Sequence, residues 1–520
     1  MNIYLHNTFS DKKELFVPRK LSIPEIIFGL GKSKVSMYHC GPTVYHYPHI
    51  GNIRSYVFAD TLKRMMLAHG FRVDQVINIT DVGHLVSDAD TGEDKMEKAR
   101  AREGKSAREI ARFYTDFFIK NLIDINVDIK DTQFPSATQF ISEQIELIES
   151  LESKGLTYTT NDGVYFDTSK FPAYGDLGNI DLKGLRENES DRVVVQTDKR
   201  NPTDFALWKF SPKNDGKNNT ENTGAGENNK VAPKREQEWQ SPWGIGFPGW
   251  HIECSAMAMS LLGETIDIHT GGIDHIPVHH NNEIAQSEGS TGKQFARFWL
   301  HNAFLNITSA ESDKTNETNQ DGQKMSKSSG DFLTLTSITD KGFSALDYRY
   351  FLLGARYSTP MNFSWEALES AHNARTKLSN ALREMFLEKK VEKEAKVSGM
   401  VTEKYWQKAL GAVSDDLDTP KVLALQWEIV KDTSLSSAQK KNTLLKIDSL
   451  LGLFDIDKIK NETKKLQSVE IPESVQKLLD MRTEVRAQKD WKKSDELRSE
   501  IEVLGYGVKD LADKQEIFKL

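Results

Sequence analysis

Two α/β segments, separated by a stretch of different character, set the frame into which this chain must fold. Residues 35–40 alternate and are rich in β-branched and aromatic side chains, as a strand requires, and Gly41-Pro42 breaks the run. From Asn52 the apolar residues Ile53, Val57, Phe58, Leu62 and Met65 recur at helical spacing, and Gly70 stops the helix. Residues 73–79 read as the next strand. This order predicts a parallel sheet, whose ligands sit at the carboxyl ends of its strands. From about Asn126 to Phe210 the pattern changes to short mixed elements with turns at 161–163 and 174–176. The α/β pattern resumes over 249–301.

The fold class expected is therefore α/β, a Rossmann-like parallel-sheet domain split by an insertion, then a helical bundle and a small C-terminal unit. Histidines follow the same division. Eleven of the thirteen lie between His39 and His301, and none between His84 and His251. Two polar stretches without apolar periodicity, 213–230 and 309–322, read as disordered surface loops. Beyond Trp365 the pattern is helical, with a start at Asp418-Thr419-Pro420 and a break near Ile471-Pro472. The expected boundaries are 1–125 and 241–308 for the two halves of the sheet domain and 126–240 for the insertion. A linker over 309–365, a bundle over 366–470 and a terminal unit over 471–520 complete the division.

A net charge of −8 excludes a nucleic-acid partner announced by bulk charge, so any such contact needs a local basic stripe. Arg482, Arg486, Lys489 and Lys493 form one if their segment is a single helix, although interleaved acids make a solvated face the plainer reading of the spacing alone. The N-terminus is too polar for a signal peptide and no apolar run reaches membrane-spanning length, so a cytoplasmic, membrane-free location is expected. Two cysteines, Cys40 and Cys254, make no disulfide scaffold; metal ligation or core packing are the options.

Two short motifs carry the phosphate chemistry. Pro-His-Ile-Gly-Asn (48–52) stands at the start of the first helix, where unpaired N–H groups and the positive dipole end favour phosphate. Lys-Met-Ser-Lys-Ser (324–328) offers Lys324 and Lys327, two cations suited to a triphosphate. Singly, His49 reads equally as a turn residue and the lysines as a solvated loop. Cys40, Cys254, His279 and Glu283 compose a zinc-type donor set, with His279 and Glu283 on one helix face. From composition alone, buried cysteines and a surface His/Glu pair explain them as well.

In this order the two motifs resemble the signatures of class I aminoacyl-tRNA synthetases, with Asn52 where that signature has a second histidine. Residues 40–45, 248–255, 267–274, 279–287 and 299–302 are similar to cysteinyl-tRNA synthetase, over most of the chain. The resemblance implies one zinc ion per subunit on Cys40, Cys254, His279 and Glu283, binding the substrate thiolate. It implies ATP, with Mg²⁺, at His49, Gly51, Asn52, Gly271, Gly272, Asp274, Lys324 and Lys327. Of these, His49, Asn52, Lys324 and Lys327 are the expected catalytic residues. It places L-cysteine against Gly41, Thr80, Trp250 and His269, and tRNA(Cys) at the terminal basic stripe of a monomer. The activity implied is cysteine activation as the adenylate and transfer to tRNA, with metal selection of sulfur in place of an editing domain. A related cysteine–amino sugar ligase of thiol biosynthesis and a non-catalytic tRNA-binding paralogue are the alternatives.

Overall fold

The computed structural model describes residues 1–18, 33–84, 94–180, 198–211, 235–307, 333–387, 398–467, 472–510 and 515–520. Lys324, Lys327 and the polar stretches 213–230 and 309–322 lie outside the described residues.

Five strands form a wholly parallel sheet: β1 (Lys34–His39), β2 (Arg72–Ile77), β3 (Thr132–Gln133), β4 (Ile266–Gly272) and β5 (Ala296–Asn302). Their spatial order is β5-β4-β1-β2-β3. The chain thus winds outward from β1 to β3, then returns on the other side of β1 with β4 and β5. Between β1 and β4 the direction reverses, and that is where an open α/β sheet leaves a crevice beyond its carboxyl ends. The inner strands are apolar on both faces: Val35, Met37, Tyr38, Ile266 and Ile268 are all buried.

Helix α1 (Ile50–Ala68) connects β1 to β2. Its amino end is pinned from a distant segment, because the Tyr348 hydroxyl donates to the Ile50 carbonyl at 2.8 Å. Further along α1, Asp60 is fully buried and paired with the equally buried Arg349 and with Arg64. That pairing meets the rule that interior charges need partners.

The region read as short mixed elements is an antiparallel five-stranded sheet. Its strands, in spatial order, are Thr157–Thr159, Gly163–Phe166, Phe205–Phe210, Gly244–Pro248 and Trp239–Ser241. Trp208, Phe205 and Phe166 share one core with Ile252 and Ala256 of α2 (Trp250–Leu262) and Ala285 of α3 (Asn281–Thr291). The insertion therefore braces from behind the two helices that carry most of the donor set.

The chain divides into two compact units, the first comprising Met1–Asn373, Trp406–Leu425 and Ser449–Gly452. The second comprises Ala374–Tyr405, Gln426–Asp448 and Leu453–Leu520. Its C-terminal part has helices Glu473–Ala487 and Trp491–Val503 and an antiparallel ribbon, Tyr506–Asp510 with Gln515–Lys519. Val475, Leu479, Ile501 and Val508 form its small core. Among the described residues no helix is long and apolar enough to cross a membrane.

Candidate active site

At the carboxyl ends of β1 and β4 lies a cavity of about 330 Å³, with Cys40, Gly41, His49, Trp250 and Asp274 in its wall. Its floor is a cluster assembled from four parts of the chain. Cys40 follows β1, Cys254 lies on α2, and His279 and Glu283 flank the start of α3. Their ligand atoms all lie within 4.8 Å of one another. The Cys40 thiol is 3.5 Å from Glu283 Oε1, and His279 Nε2 is 3.2 Å from the same oxygen. Tetrahedral coordination at zinc bond lengths separates neighbouring donors by roughly 3.3–3.8 Å, so two sulfurs, one nitrogen and one oxygen are already near the spacing one ion requires.

The surroundings orient these donors. Residues 276–280 form a wide π-type turn ahead of α3, which directs the adjacent His279 and His280 to different partners. His279 Nδ1 is 2.8 Å from His251 Nδ1. Its Nε2 is buried without an aligned hydrogen bond, as a ligand atom awaiting a metal would be. His269 Nε2 holds the far oxygen of Glu283 at 2.8 Å and turns Oε1 toward the cluster. His280 Nε2 is 3.3 Å from the Cys40 sulfur, its Nδ1 is 2.7 Å from His301 Nε2, and His301 Nδ1 is 2.8 Å from the Thr8 hydroxyl. An N–H from His280 to the sulfur makes its Nδ1 the acceptor from His301, whose Nδ1 then accepts from Thr8.

The electrostatics differ from donor to donor. Burial pushes the Cys40 thiol well above its ordinary range. The hydrogen bond with Cys40 outweighs burial at Cys254 and lowers it to about 7. Burial opposes charge on His279, but contacts with Cys254 and Glu283 win and raise it to about 10. Burial likewise opposes charge on Glu283, yet His269 and His279 hold the carboxyl well below the usual range. The set thus gathers positive charge onto His279, the charge a divalent cation would bring. The donors fit zinc.

The opposite wall holds the amino end of α1. His49 caps α1 through Nδ1, which accepts from Asn52 N–H at 3.1 Å, while Asn52 Oδ1 accepts from His49 N–H at 3.2 Å. With Nδ1 accepting, the neutral imidazole carries its proton on Nε2. Asn52 is the reciprocal cap, which gives a structural reason for an amide at this position. Leu305 lines the cavity, and the Leu333 carbonyl accepts from Ile50 N–H at 2.8 Å. Both flanks of the segment that holds Lys324 and Lys327 are therefore tied to this end of the cavity.

Residues 27–373 match the family of tRNA synthetases class I (C) catalytic domains, and residues 468–517 match the cysteinyl-tRNA ligase anticodon binding domain. A cysteine–tRNA ligase of Treponema denticola is 41% identical, with 99% of each chain covered. Cysteine–tRNA ligase 1 of Burkholderia lata is 40% identical over 100% of this chain and 97% of its own. The chain belongs to the cysteinyl-tRNA ligase family. Among solved structures, methionyl-tRNA synthetase of Mycobacterium tuberculosis with methionyl-adenylate shares the fold at a TM-score of 0.53 and 14% identity, covering 84% of this chain and 94% of that one.

Several residues expected from the family resemblance occupy other places. His269 is fully buried beneath the cluster, stacked 4.4 Å from Trp299, and bonds Glu283 instead of lining the cavity. Thr80 is also buried and accepts from Asn78 at 3.1 Å. Gly41 lines the cavity because its backbone runs against β2: a Cβ there would stand 1.5 Å from the Asn78 carbonyl oxygen. Gly272 and Asp274 line the cavity, whereas Gly271 lies under it, where a Cβ would meet His275 at 2.7 Å and His280 at 2.8 Å. Sequence reasoning passed over His251, His280 and His301, although the crowding of histidines into two blocks was a usable signal.

The terminal basic stripe is corrected. The segment is two helices, broken at Lys489, whose φ is 62°, and restarted by Asp490, whose side chain accepts from Lys493 N–H at 3.1 Å. Arg482 faces inward and is 1% exposed. It donates to both oxygens of Asp510 at 2.6 and 2.9 Å and to the Ser494 carbonyl at 3.2 Å, so it serves the fold of this unit. Arg486 stands over Trp491 at 5.4 Å and also pairs with Asp510, Lys493 pairs with Glu496 at 3.0 Å, and Lys489 is exposed.

Proposed function

We propose that this chain is a cysteine–tRNA ligase that converts cysteine and ATP to cysteinyl adenylate and pyrophosphate, then passes the cysteinyl group to the terminal adenosine of tRNA(Cys). The observation that carries this reading is the four-donor cluster opening, through Cys40, onto the same cavity as the amino end of α1. Cys40, Cys254, His279 and Glu283 would hold a zinc ion. Bound there it would lower the thiol pKa of substrate cysteine and accept sulfur in preference to a hydroxyl. A pocket of shape alone separates such near-isosteres only about 10–200-fold.

The chain's own groups then handle charge and position. His49 Nε2, the first N–H groups of α1 and the lysines of 324–328 stabilise negative charge on the phosphates as a carboxylate oxygen attacks the α-phosphorus. The phosphorus–oxygen bond to the β-phosphate breaks and pyrophosphate leaves with Mg²⁺. Asp274 and Gly272, in the cavity wall beside Trp250, receive the adenosine, with the carboxylate on its hydroxyls. In the second step a ribose hydroxyl of tRNA attacks the acyl carbon, and AMP departs. The match of 468–517 to an anticodon-binding family favours tRNA over an amino sugar as acceptor, with Arg486, Lys489 and Lys493 as the basic residues that reach it. Incorporation of labelled cysteine against serine into tRNA(Cys), with metal analysis of the same sample, tests the reading. Equal use of serine, or charging at full rate by metal-free protein, would overturn it.

A further inference from the structure

We propose that His275 is a catalytic residue whose Nε2–H holds the acyl oxygen of cysteinyl adenylate while the cysteinyl group passes to tRNA, an assignment that rests on cysteine being the activated amino acid. His275 stands in the cavity wall directly after Asp274, and its ring lies 5.1 Å from that of His279 and 5.1 Å from that of His280. It closes the short 3₁₀ turn Ile273–His275, where the Ile276 N–H donates to the Ile273 carbonyl. The following residue is fixed from outside. Buried Asn281 donates from Nδ2 to the Ile276 carbonyl at 2.6 Å and to the Leu177 carbonyl at 3.0 Å. Its Oδ1 accepts from Gly175 N–H at 3.1 Å. The imidazole is thus carried on a rigid mount, as a group that must meet a reacting atom requires.

The two ring nitrogens face different surroundings. Nδ1 is buried without a hydrogen bond and lies close against the backbone of Gly271, where a Cβ would come within 2.7 Å of it. Nε2, on the other side of the ring, is the nitrogen left for the cavity. A buried N–H without an acceptor is costlier than a bare acceptor nitrogen, so a neutral ring keeps its one proton on Nε2. A protonated ring has an N–H there as well. In either state His275 offers the cavity a donor.

That donor selects among the groups of the ligand. With sulfur at the donor cluster and ribose at Asp274, cysteinyl adenylate passes His275, and its ammonium, acyl carbonyl and phosphate lie between those two ends. The ammonium is itself a donor. The phosphate is met by His49 and the amino end of α1. The acyl oxygen remains, and negative charge grows on it as the ribose hydroxyl of tRNA attacks the acyl carbon. The new carbon–oxygen bond forms while the carbonyl electron pair moves onto the oxygen held by Nε2–H. As that pair returns, the bond to phosphate breaks and AMP leaves. The hydroxyl proton goes to the departing phosphate, and His275 keeps its own.

Cysteinyl sulfamoyl adenosine keeps the acyl carbonyl, and its cysteinol counterpart has a methylene there, so the pair separates this role from mere packing beside His279. With the full-length, zinc-loaded protein, His275→Leu should weaken binding of the first about 5- to 10-fold and leave the second within about twofold. In a single turnover, transfer from preformed cysteinyl adenylate to tRNA should slow about 100-fold. His275→Gln, which keeps an N–H, should restore much of both, and zinc content should match that of the unaltered protein. Equal weakening of the two analogues, transfer at the unaltered rate, or no recovery with glutamine would overturn the assignment. If the leucine variant does not fold or hold zinc, His275→Phe keeps a ring beside His279 without an N–H and is read by the same comparison. Failure of the unaltered protein to prefer the cysteinyl over the seryl analogue would instead remove the functional reading itself.

Discussion

Replacing Arg482 by methionine should unfold the C-terminal unit while sparing the chemistry of the first. Arg482 is buried and bound at both nitrogens to Asp510, and its Nε donates to Ser494. Removing one partner of a buried pair costs about 3–5 kcal/mol when the other is stranded. Asp510 is 30% exposed at its side chain and keeps Arg486 at 3.0 Å, so a cost of about 2–3 kcal/mol is the better figure. A unit whose core is Val475, Leu479, Ile501 and Val508 has about 3–5 kcal/mol in total. Most of its stability should therefore go. Amide hydrogen exchange should show lost protection over 473–510, and tRNA charging should fall while cysteine-dependent pyrophosphate exchange is unchanged. The pH dependence has a defined sign. The Arg482 hydrogen bonds hold the Asp510 carboxyl below its usual range. A depressed carboxylate contributes stability that is present above its unfolded pKa of about 3.9 and is lost as pH falls through the lower folded value. The deficit of the variant should thus be full near neutrality and shrink below about pH 4. Unchanged protection together with weakened tRNA binding would refute this reasoning and make Arg482 an RNA contact.

Three further outcomes follow from the site. Gly41→Ala sets a methyl 1.5 Å from the Asn78 carbonyl oxygen, so it should cost about 1–3 kcal/mol in thermal unfolding and weaken zinc binding through the neighbouring Cys40. His251→Ala removes the group 2.8 Å from His279 Nδ1 and should lower zinc affinity about 10- to 100-fold in chelator competition, with secondary structure intact by circular dichroism. Cys254→Ser should lower zinc content and raise KM for cysteine in pyrophosphate exchange while KM for ATP holds; full zinc with normal kinetics would remove Cys254 from the ligand set.

What the sequence made legible is what depends on local pattern. The β1–α1–β2 unit follows from apolar spacing at Ile53, Val57, Phe58, Leu62 and Met65, and the parallel sheet follows from that unit. Residue type and the four-residue spacing of His279 and Glu283 offered Cys40, Cys254, His279 and Glu283 as a donor set, but only resemblance favoured that over core packing, because what joins them is the strand order β4-β1 and the bracing of α2 and α3, neither of which leaves a spacing to read. The same holds for the path from Cys40 through His280 and His301 to Thr8, which needs β5 beside β4. The insertion hid its sheet because strands such as Thr157–Thr159 and Trp239–Ser241 are too short to show alternation. At the terminal stripe a local signal existed and was outweighed by periodicity: Asp490 before Trp491 is a helix-starting residue, and it breaks the line from Arg486 to Lys493.

Counting sulfur neighbours of the metal by X-ray absorption, with and without amino acid, tests most directly whether this site recognises sulfur through a shared ion. The cluster predicts one zinc per chain with two sulfur ligands in the free protein, from Cys40 and Cys254, three after cysteine is added, and two after serine. Substoichiometric zinc, or a sulfur count that cysteine leaves unchanged, would contradict it.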